Sequence, residues 1–358
     1  MNNNKLFFPA LTGYRAIAAW MIFIYHFFPF KNESHSYPKW IANIVWEFHI
    51  GVDMFFVLSG FLITYRYFNE NPIDFKKYMV NRFARIYPMY FLITVGVFIS
   101  GYLTSGIWTQ EKTIEALLSF TMTKALFKDY FLGGVAQGWT LTLEEMFYVT
   151  APLYFILIRK RKIWLYLLPI LIFIFGFGMK EVFSNFSNLG GFLQKNIATY
   201  IIEFFVGIGL ALLVSKQSKS IHILKDKVTY VGIGFILVYL IGMQYFRAIF
   251  DLKYDPAVFV SMGALSLLGI APLLWGLIHE RTFISKILST PFMVLLGKSS
   301  YIFYLIHKGF IPIFINDNIC SNKLFIFVIL NIISIVLFKY IEEPANLWIR
   351  KYYSKNNN

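Results

Sequence analysis

Long apolar runs recur along almost the whole chain, and they limit its fold more than any other feature. They begin near residue 8 and continue to residue 345. A helix needs about 20 mostly apolar residues to cross a bilayer. Hydrophobic residues make up 58% of the 358 residues and charged residues only 15%, well below the roughly one quarter that is charged in soluble domains. The sequence therefore predicts an all-α, polytopic integral membrane protein, with one domain over residues 1–358 and no appended soluble domain.

The apolar runs predict about ten transmembrane helices with both termini in the cytoplasm. Loops and tails on one side hold nineteen lysine and arginine residues, and those on the other side hold ten. Cytoplasmic loops carry the excess of positive charge, so the richer side, which includes both tails, is expected to be cytoplasmic. The interval from about residue 104 to 137 mixes acidic and basic residues and predicts a loop with short interfacial helices. The spans are placed near residues 8–30, 44–65, 83–103, 139–158, 163–179, 197–214, 228–246, 257–278, 292–315 and 324–344.

The formal net charge of +14 is interpreted as basic loops facing an anionic cytoplasmic leaflet, not as a nucleic-acid surface. Cys320 is the only cysteine, which excludes an internal disulfide and a thiolate metal cluster, and no metal site is predicted. The first apolar run carries Arg15 and is not followed by a small-residue cleavage site. We therefore interpret it as a retained span and not as a signal peptide.

Arg15 and His26 lie inside the first predicted span. They are eleven positions apart, a separation that returns to nearly the same helix face about 16 Å along the axis. Ionisable residues inside a membrane are costly and favour a functional hypothesis, so the two side chains are expected to line one cavity at two depths. The alternative is that Arg15 extends to the inner headgroups and His26 to the outer interface.

Acidic residues lie in the second and fourth spans. Asp53 is four residues after His49 and shares its helix face, and helix packing does not explain an aspartate there. Glu144 and Glu145 are adjacent and point in different directions, so at least one should face the interior of the bundle. A buried carboxylate indicates a proton partner or an orienting group, whereas one at the interface is merely solvated.

Basic residues open the third span, and a histidine lies in the ninth. Arg82 and Arg85 are three residues apart on one face, where two guanidiniums can hold phosphate oxygens bidentately. The alternative is an anchor that contacts lipid phosphates. His307 shares a face with Ser300 and Tyr304, and this polar stripe favours a functional histidine as much as a structural one.

The predicted topology assigns these side chains to different depths of a hydrocarbon core that is roughly 30 Å thick. Arg82 and Arg85 fall at the inner face, and Arg15 lies between that face and the outer half. The outer half holds four groups, namely His26, Asp53, Glu144 and His307. The order predicts a path across the bilayer, with anions bound on the inside and a histidine and carboxylate cluster towards the outside.

Six motifs occur in order along the chain: "LTGYRAIAAWMIFIYH", "GVDMFFVLSGFLIT", "NRFARIYPMYF", "GWTLTLEEMFYVTAP", "SYIFYLIH" and, at residues 341–344, "IEEP". Together they resemble the bacterial acyltransferase 3 family of multi-span membrane O-acyltransferases, over nearly the whole chain. The resemblance implies ten core helices in the bacterial cytoplasmic (inner) membrane. It also implies transfer of an acyl group, most commonly acetyl, from cytoplasmic acyl-CoA to a hydroxyl of an envelope polysaccharide or lipid-linked saccharide.

By this resemblance, the arginine and histidine of the family's first span correspond to Arg15 and His26. The paired arginines of its third span correspond to Arg82 and Arg85, and the glutamate of its fourth-span motif to Glu144. The arginines would bind the acyl-CoA donor, with acetyl-CoA the expected form. No permanently bound cofactor is implied.

The resulting hypothesis places coenzyme A phosphates at the cytoplasmic face, with the pantetheine arm passing Arg15. His26 acts as general base on an acceptor hydroxyl, or passes the acyl group on. Asp53 or Glu144 orients the imidazole or stabilises its charge, and His307 is a second candidate base. The sequence leaves open the acceptor, the choice between acetyl and succinyl, and the choice between direct transfer and an acyl-enzyme.

Two other classes of function fit parts of the sequence. A proton-coupled transporter or flippase also fits ten spans with intramembrane histidine and carboxylate groups, but no matched pair of Gly/Pro-broken helices is present in the sequence. A structural subunit of an envelope complex explains none of the intramembrane charges. The motif order favours the acyltransferase.

Overall fold

The structure, a computed structural model, is mainly helical in the part of the chain that it describes. No β-strand occurs there, and one isolated bridge joins Phe127 and Phe192. The described residues are 7–27, 38–186, 191–216, 227–250 and 255–356. Within these ranges, only the backbone is described at residues 247–250, 255–259 and 356.

Sixteen α-helices form in these ranges, joined by short 3-10 and π turns. They are α1 (Pro9–Phe27), α2 (Lys39–Trp46), α3 (Gly51–Tyr67), α4 (Phe75–Ser105), α5 (Gln110–Phe120), α6 (Trp139–Lys160), α7 (Trp164–Ser184), α8 (Ile201–Lys216), α9 (Val228–Phe250), α10 (Asp255–Leu265), α11 (Ala271–His279), α12 (Phe283–Leu288), α13 (Pro291–Ile306), α14 (Phe310–Asn318), α15 (Lys323–Leu337) and α16 (Glu343–Asn356).

Among the described residues, eight helical segments are long and apolar enough to cross a membrane. The first and ninth predicted spans are occupied by α1 and by the shorter apolar helix α13. The prediction of an all-α, polytopic membrane protein is confirmed, whereas ten crossings and cytoplasmic termini stay predictions. Residues 28–30 of the first predicted span and residues 217–226 of a basic loop lie outside the described part. The eight segments are Lys39–Tyr67, Phe75–Ser105, Ala136–Lys160, Trp164–Ser184, Ile197–Lys216, Val228–Phe246, Val260–His279 and Lys323–Lys355.

The ninth predicted span was expected to be continuous over 292–315, and that expectation is wrong. α13 ends at Ile306, a bend follows, and α14 begins at Phe310. Gly309 between them has φ +116°, a backbone conformation that favours glycine. The polar interval at 104–137 does hold the short helix α5 and two 3-10 turns, as predicted.

The chain divides into two compact units. The first comprises residues 1–62 and 206–301, and the second comprises residues 63–205 and 302–358. Each unit is assembled from an early and a late part of the chain, so residues far apart in sequence meet within it.

In the first unit, α1 packs closely against its neighbours because glycines line the contacts. A Cβ atom added at Gly51 would lie 2.4 Å from the carbonyl oxygen of Ala18, and one added at Gly13 would lie 2.1 Å from that of Leu288. Small residues of this kind let helices approach within a membrane. The start of α3 is therefore held directly against the middle of α1.

In the second unit, α16 packs along α4. α4 begins at an N-cap, where the side chain of Asp74 accepts a hydrogen bond from the backbone N–H of Lys77 at 2.9 Å. Its 31 residues extend about 46 Å at 1.5 Å per residue, longer than a bilayer core of about 30 Å requires. This length lets α4 carry side chains both within the bilayer and beyond its edge.

Candidate functional site

The first unit brings together histidines and carboxylates where α1 ends and α3 begins. Tyr25 contacts the neighbouring ring of His26, with 5.0 Å between ring centroids, and meets the ring of His49 edge-on at 5.8 Å. His49 Nε2 lies 3.3 Å from a carboxylate oxygen of Glu47, which is itself buried. The arrangement places two imidazoles around one phenol ring, and one of them has a carboxylate partner.

Asp53 completes this group, which we call the histidine–carboxylate cluster (His26, Glu47, His49 and Asp53). Its side chain has no exposed surface, and neither carboxylate oxygen accepts a hydrogen bond from any side chain in the described residues. It interacts electrostatically with His49, Glu47 and the buried phenol of Tyr14. A buried carboxylate without a side-chain hydrogen-bond donor is costly, which favours a functional role over packing.

Arg15 and His26 both lie on α1, as the sequence predicts, and both are partly buried. Their separation of eleven helical residues corresponds to about 16 Å. The first unit therefore contains three of the predicted site residues, namely Arg15, His26 and Asp53.

In the second unit, Arg82 and Glu144 are connected through a tyrosine. The guanidinium carbon of Arg82 lies 5.4 Å from the ring centroid of Tyr148, and the hydroxyl of Tyr148 donates a hydrogen bond to Glu144. The backbone carbonyl of Tyr148 accepts a hydrogen bond from Tyr78 at 2.8 Å. The depth estimate from the sequence separated Arg82 from Glu144 by most of the bilayer, but the two side chains share this one intermediary.

Arg85 has a different partner. Its guanidinium lies 2.5 Å from a carboxylate oxygen of Glu342, whose side chain is 1% exposed, whereas that of Arg85 is 26% exposed. Glu342 belongs to the "IEEP" motif and lies in the π turn between α15 and α16. Part of the charge of Arg85 is therefore used to hold α4 against this turn.

His307 lies at the end of α13 and is fully buried. Its Nδ1 is 2.7 Å from the carbonyl oxygen of Tyr304. Because a carbonyl only accepts hydrogen bonds, Nδ1 must carry the proton, and Nε2 is then the basic nitrogen of the neutral ring. The hydroxyl of Tyr304 hydrogen-bonds Thr140 at 2.9 Å, which links this histidine to the start of α6.

Gln137 holds the helix break beside His307 in place. Its side-chain amide donates hydrogen bonds to the carbonyl of Leu305 and, at 3.2 Å, to that of Lys308. The last carbonyls of a helix have no partner within it, so the amide satisfies groups that the end of α13 exposes. The bend after His307 is thus stabilised from a distant part of the chain.

The second unit thus contains the other four predicted site residues, Arg82, Arg85, Glu144 and His307. The sequence did not identify four residues that contact this site: Glu47, Gln137, Tyr148 and Glu342. Tyr148 had a signal, because it lies four residues after Glu144 on the same helix face. Glu342 had one as well, since it lies within a quoted motif, but the sequence does not indicate that Arg85 is its partner.

The family profile described as an acyltransferase domain, acyltransferase 3, matches residues 8–341. The chain belongs to the acyltransferase 3 family. Five of the six motifs and all seven predicted site residues lie inside the matched range, and "IEEP" begins at its last residue. The family expectation from the sequence is therefore confirmed. No solved structure matches the chain.

Curated relatives of this acyltransferase 3 chain include the O-acetyltransferase OatA of Staphylococcus aureus strain NCTC 8325 and that of strain COL. Each is 26% identical to it over 374 residues, an alignment that covers 94% of this chain and 57% of the relative. The chain therefore spans little more than half the length of these relatives.

Proposed function

We propose that the protein is a membrane O-acyltransferase that moves an acyl group, acetyl in the first instance, from cytoplasmic acyl-CoA to a hydroxyl of an envelope polysaccharide or glycolipid. Membership of the acyltransferase 3 family supports the reaction class, and the names of the OatA relatives favour acetyl. The resemblance favours the bacterial cytoplasmic membrane as the location of the enzyme. The observation that carries the proposal is the histidine–carboxylate cluster, which contains a candidate base for an acceptor hydroxyl.

The reaction needs two proton transfers, one from the acceptor hydroxyl to His26 and one from His26 to the coenzyme A sulfur. His26 takes the proton of the acceptor hydroxyl as its oxygen attacks the thioester carbonyl. The tetrahedral intermediate then collapses and the carbon–sulfur bond breaks. The leaving coenzyme A sulfur accepts the proton from the imidazolium. The products are the acyl ester and free coenzyme A, and no redox partner is consumed.

The buried carboxylates support this proton transfer. The negative charge of Asp53 stabilises the imidazolium that forms in the transition state, an electrostatic effect that is strong where water is excluded. Glu47 holds the ring of the neighbouring His49 in place. Apolar surroundings keep water from the thioester and so limit hydrolysis.

The arginines contribute donor binding in this proposal. Arg82 and Arg85 present guanidiniums to the phosphates of coenzyme A, and Arg15 lies along the path of the pantetheine arm. Glu144 positions Arg82 through Tyr148. His307, with Nε2 as its basic nitrogen, is the second candidate base.

Mass spectrometry of envelope glycans tests the proposed function. Glycans from a strain that lacks this protein should lose one acyl mass, 42 Da if the group is acetyl, on one type of sugar, and a plasmid copy should restore it. Identical glycans in the two strains, at normal levels of the plasmid-encoded protein, would refute the proposal.

A further inference from the structure

Four arginines converge at one end of the second unit, and we call them the arginine cluster (Arg66, Arg82, Arg85 and Arg350). The guanidinium of Arg350, on α16, lies within electrostatic reach of the other three. Arg66 lies at the end of α3, with its guanidinium carbon 5.8 Å from the ring centroid of Tyr67. Donor binding as proposed above uses Arg82 and Arg85, so Arg66 and Arg350 have no assigned role.

Antiparallel packing of α4 and α16 builds the cluster. The pair Arg85–Glu342 is followed by a hydrogen bond from Arg350 to the carbonyl of Asn81 at 3.3 Å. The next contact along the two helices places the amino group of Lys76 5.7 Å from the ring centroid of Tyr353. Each step moves towards the start of α4 and the end of α16.

This end of the helix pair extends past the bilayer. The apolar segment that ends with α16 spans 33 residues, about 50 Å of helix, and a core of about 30 Å needs only about 20 residues. Arg350 lies eight residues beyond Glu342, about 12 Å further along the axis. Loop charge predicts that the termini are cytoplasmic. On that prediction, Arg350 lies closer to the cytoplasm, where the donor binds, than Glu342 does.

The guanidiniums retain hydrogen-bonding capacity. The Nε atoms of Arg82 and Arg350 are buried and have no hydrogen-bond partner within the described residues. Arg159 shows what a satisfied arginine looks like nearby, since it donates to the backbone carbonyls of Tyr67, Phe68 and Glu70. Buried donors without acceptors are costly, and an anion would supply the missing acceptors.

Two carboxylates offset part of the positive charge. Glu342 is paired with Arg85, and Glu145 interacts electrostatically with Arg82. Neither contact involves Arg66 or Arg350. The most positive part of the cluster is therefore the part nearest the end of α16.

We propose that Arg66 and Arg350 form, with Arg82, a subsite for a phosphate monoester, which is the 3′-phosphate of the coenzyme A moiety. This inference rests on the proposed function, in which coenzyme A carries the acyl group. A phosphate monoester brings between one and two negative charges and three acceptor oxygens, and guanidinium groups match phosphate geometry bidentately. When the pantetheine arm points into the membrane, the 3′-phosphate lies at the opposite end of the molecule, at the depth of Arg350.

Binding measurements on the purified full chain test the subsite. The chain is reconstituted in phosphatidylcholine nanodiscs and titrated calorimetrically with coenzyme A and with 3′-dephospho-coenzyme A. The wild type should bind coenzyme A about tenfold to a hundredfold more tightly, the range expected for one charge-assisted phosphate contact. The Arg350→Gln variant should bind both with the affinity that the wild type shows for the dephospho compound.

Controls separate this effect from misfolding and from lipid binding. Unchanged affinity of Arg350→Gln for dephospho-coenzyme A shows that the variant is folded, and Lys351→Gln, an exposed neighbour, should keep the wild-type preference. Equal binding of the two compounds by the wild type, or an unchanged preference in Arg350→Gln, would overturn the subsite and leave the proposed function standing. Nanodiscs with phosphatidic acid form a third arm, in which Arg350-dependent capture of this lipid, together with equal binding of the two compounds, would assign the cluster to lipid headgroups. Failure of the wild type to bind either compound would instead refute the proposed function.

Discussion

Asp53 illustrates how a single residue can be costly for the fold and useful for chemistry. It has no exposed surface, and neither of its oxygens accepts a hydrogen bond from a described side chain. Replacing a buried ionic group with a neutral one of similar shape is often neutral or stabilising. Stability and activity should therefore respond in opposite directions when the charge of Asp53 is removed.

The Asp53→Asn variant keeps the shape of the side chain and removes its charge. We expect acyl transfer to fall roughly a hundredfold, within the range for a group that assists proton transfer, while the unfolding midpoint in detergent stays the same or rises. Asp129→Asn, at an exposed position, should change neither quantity. Full activity in Asp53→Asn, or a lowered midpoint that accounts for its lost activity, would contradict this role.

Lys124 is a second buried ionisable residue, and it lies in the loop between α5 and α6. Its amino group donates hydrogen bonds to the carbonyls of Gly133 and Val135. Burial lowers the pKa of Lys124 to about 7, and the nearby charge of Glu115 opposes this change. A neutral amine still has two N–H donors, so both hydrogen bonds survive deprotonation.

The sign of the pH effect follows from proton binding. Between about pH 7 and the pKa of about 10.4 of an ordinary lysine, the unfolded chain binds a proton at Lys124 that the folded chain has released, so stability rises with pH. The unfolding midpoint of the wild type should rise across this range relative to that of Lys124→Met, which has no titrating amine. Lys128→Met, at an exposed position of the same loop, should keep the wild-type pH dependence. A constant difference between wild type and Lys124→Met at every pH would contradict the shifted pKa.

The elements of the fold were predictable to different degrees. The apolar runs predicted the membrane-crossing helices, because a span must be long and apolar whatever its neighbours are. They did not predict the break after Ile306, because apolar residues predominate on both sides of it. The bend is stabilised by Gln137, which is distant in sequence. The π turns at Ser266–Ile270 and Phe338–Glu342 likewise have no signal in the hydrophobic period.

The contact between α4 and the π turn before α16 gives a test at this scale. Arg85→Gln leaves the buried carboxylate of Glu342 without its guanidinium, and breaking such a pair costs about 3–5 kcal/mol. The double variant Arg85→Gln/Glu342→Gln removes both charges and should regain most of this free energy of unfolding. The measurement is the unfolding midpoint of the two single variants and the double variant in detergent. A double variant as unstable as Arg85→Gln would show that the ion pair does not couple these elements.

The same double variant separates donor binding by Arg85 from a structural role in the contact with Glu342. If Arg85 binds donor phosphate, coenzyme A affinity should stay low in the double variant even though its stability returns. If Arg85 serves mainly to hold α16 against α4, affinity should return together with stability.

At the scale of the whole molecule, each unit combines side chains from distant parts of the chain. The sequence correctly indicated the fold class and the family, because spans and motifs are local patterns. The partners of the site residues were less predictable. Glu342 pairs with Arg85 only once the chain has folded, because the two residues are far apart in sequence. Neither the charges nor the predicted depths of Arg82 and Glu144 indicated that Tyr148 links them.

The central claim is that His26 carries the proton that acyl transfer requires, and one measurement tests it most directly. The purified full chain, reconstituted in liposomes with an envelope glycan fraction, is given labelled acetyl-CoA, and free coenzyme A and labelled glycan are measured together. The wild type and His279→Ala, which changes an exposed histidine, should release coenzyme A in step with glycan labelling. His26→Ala should lose both signals by about a hundredfold or more at the same protein level and unfolding midpoint. Acetyl transfer by His26→Ala at the wild-type rate would contradict the account.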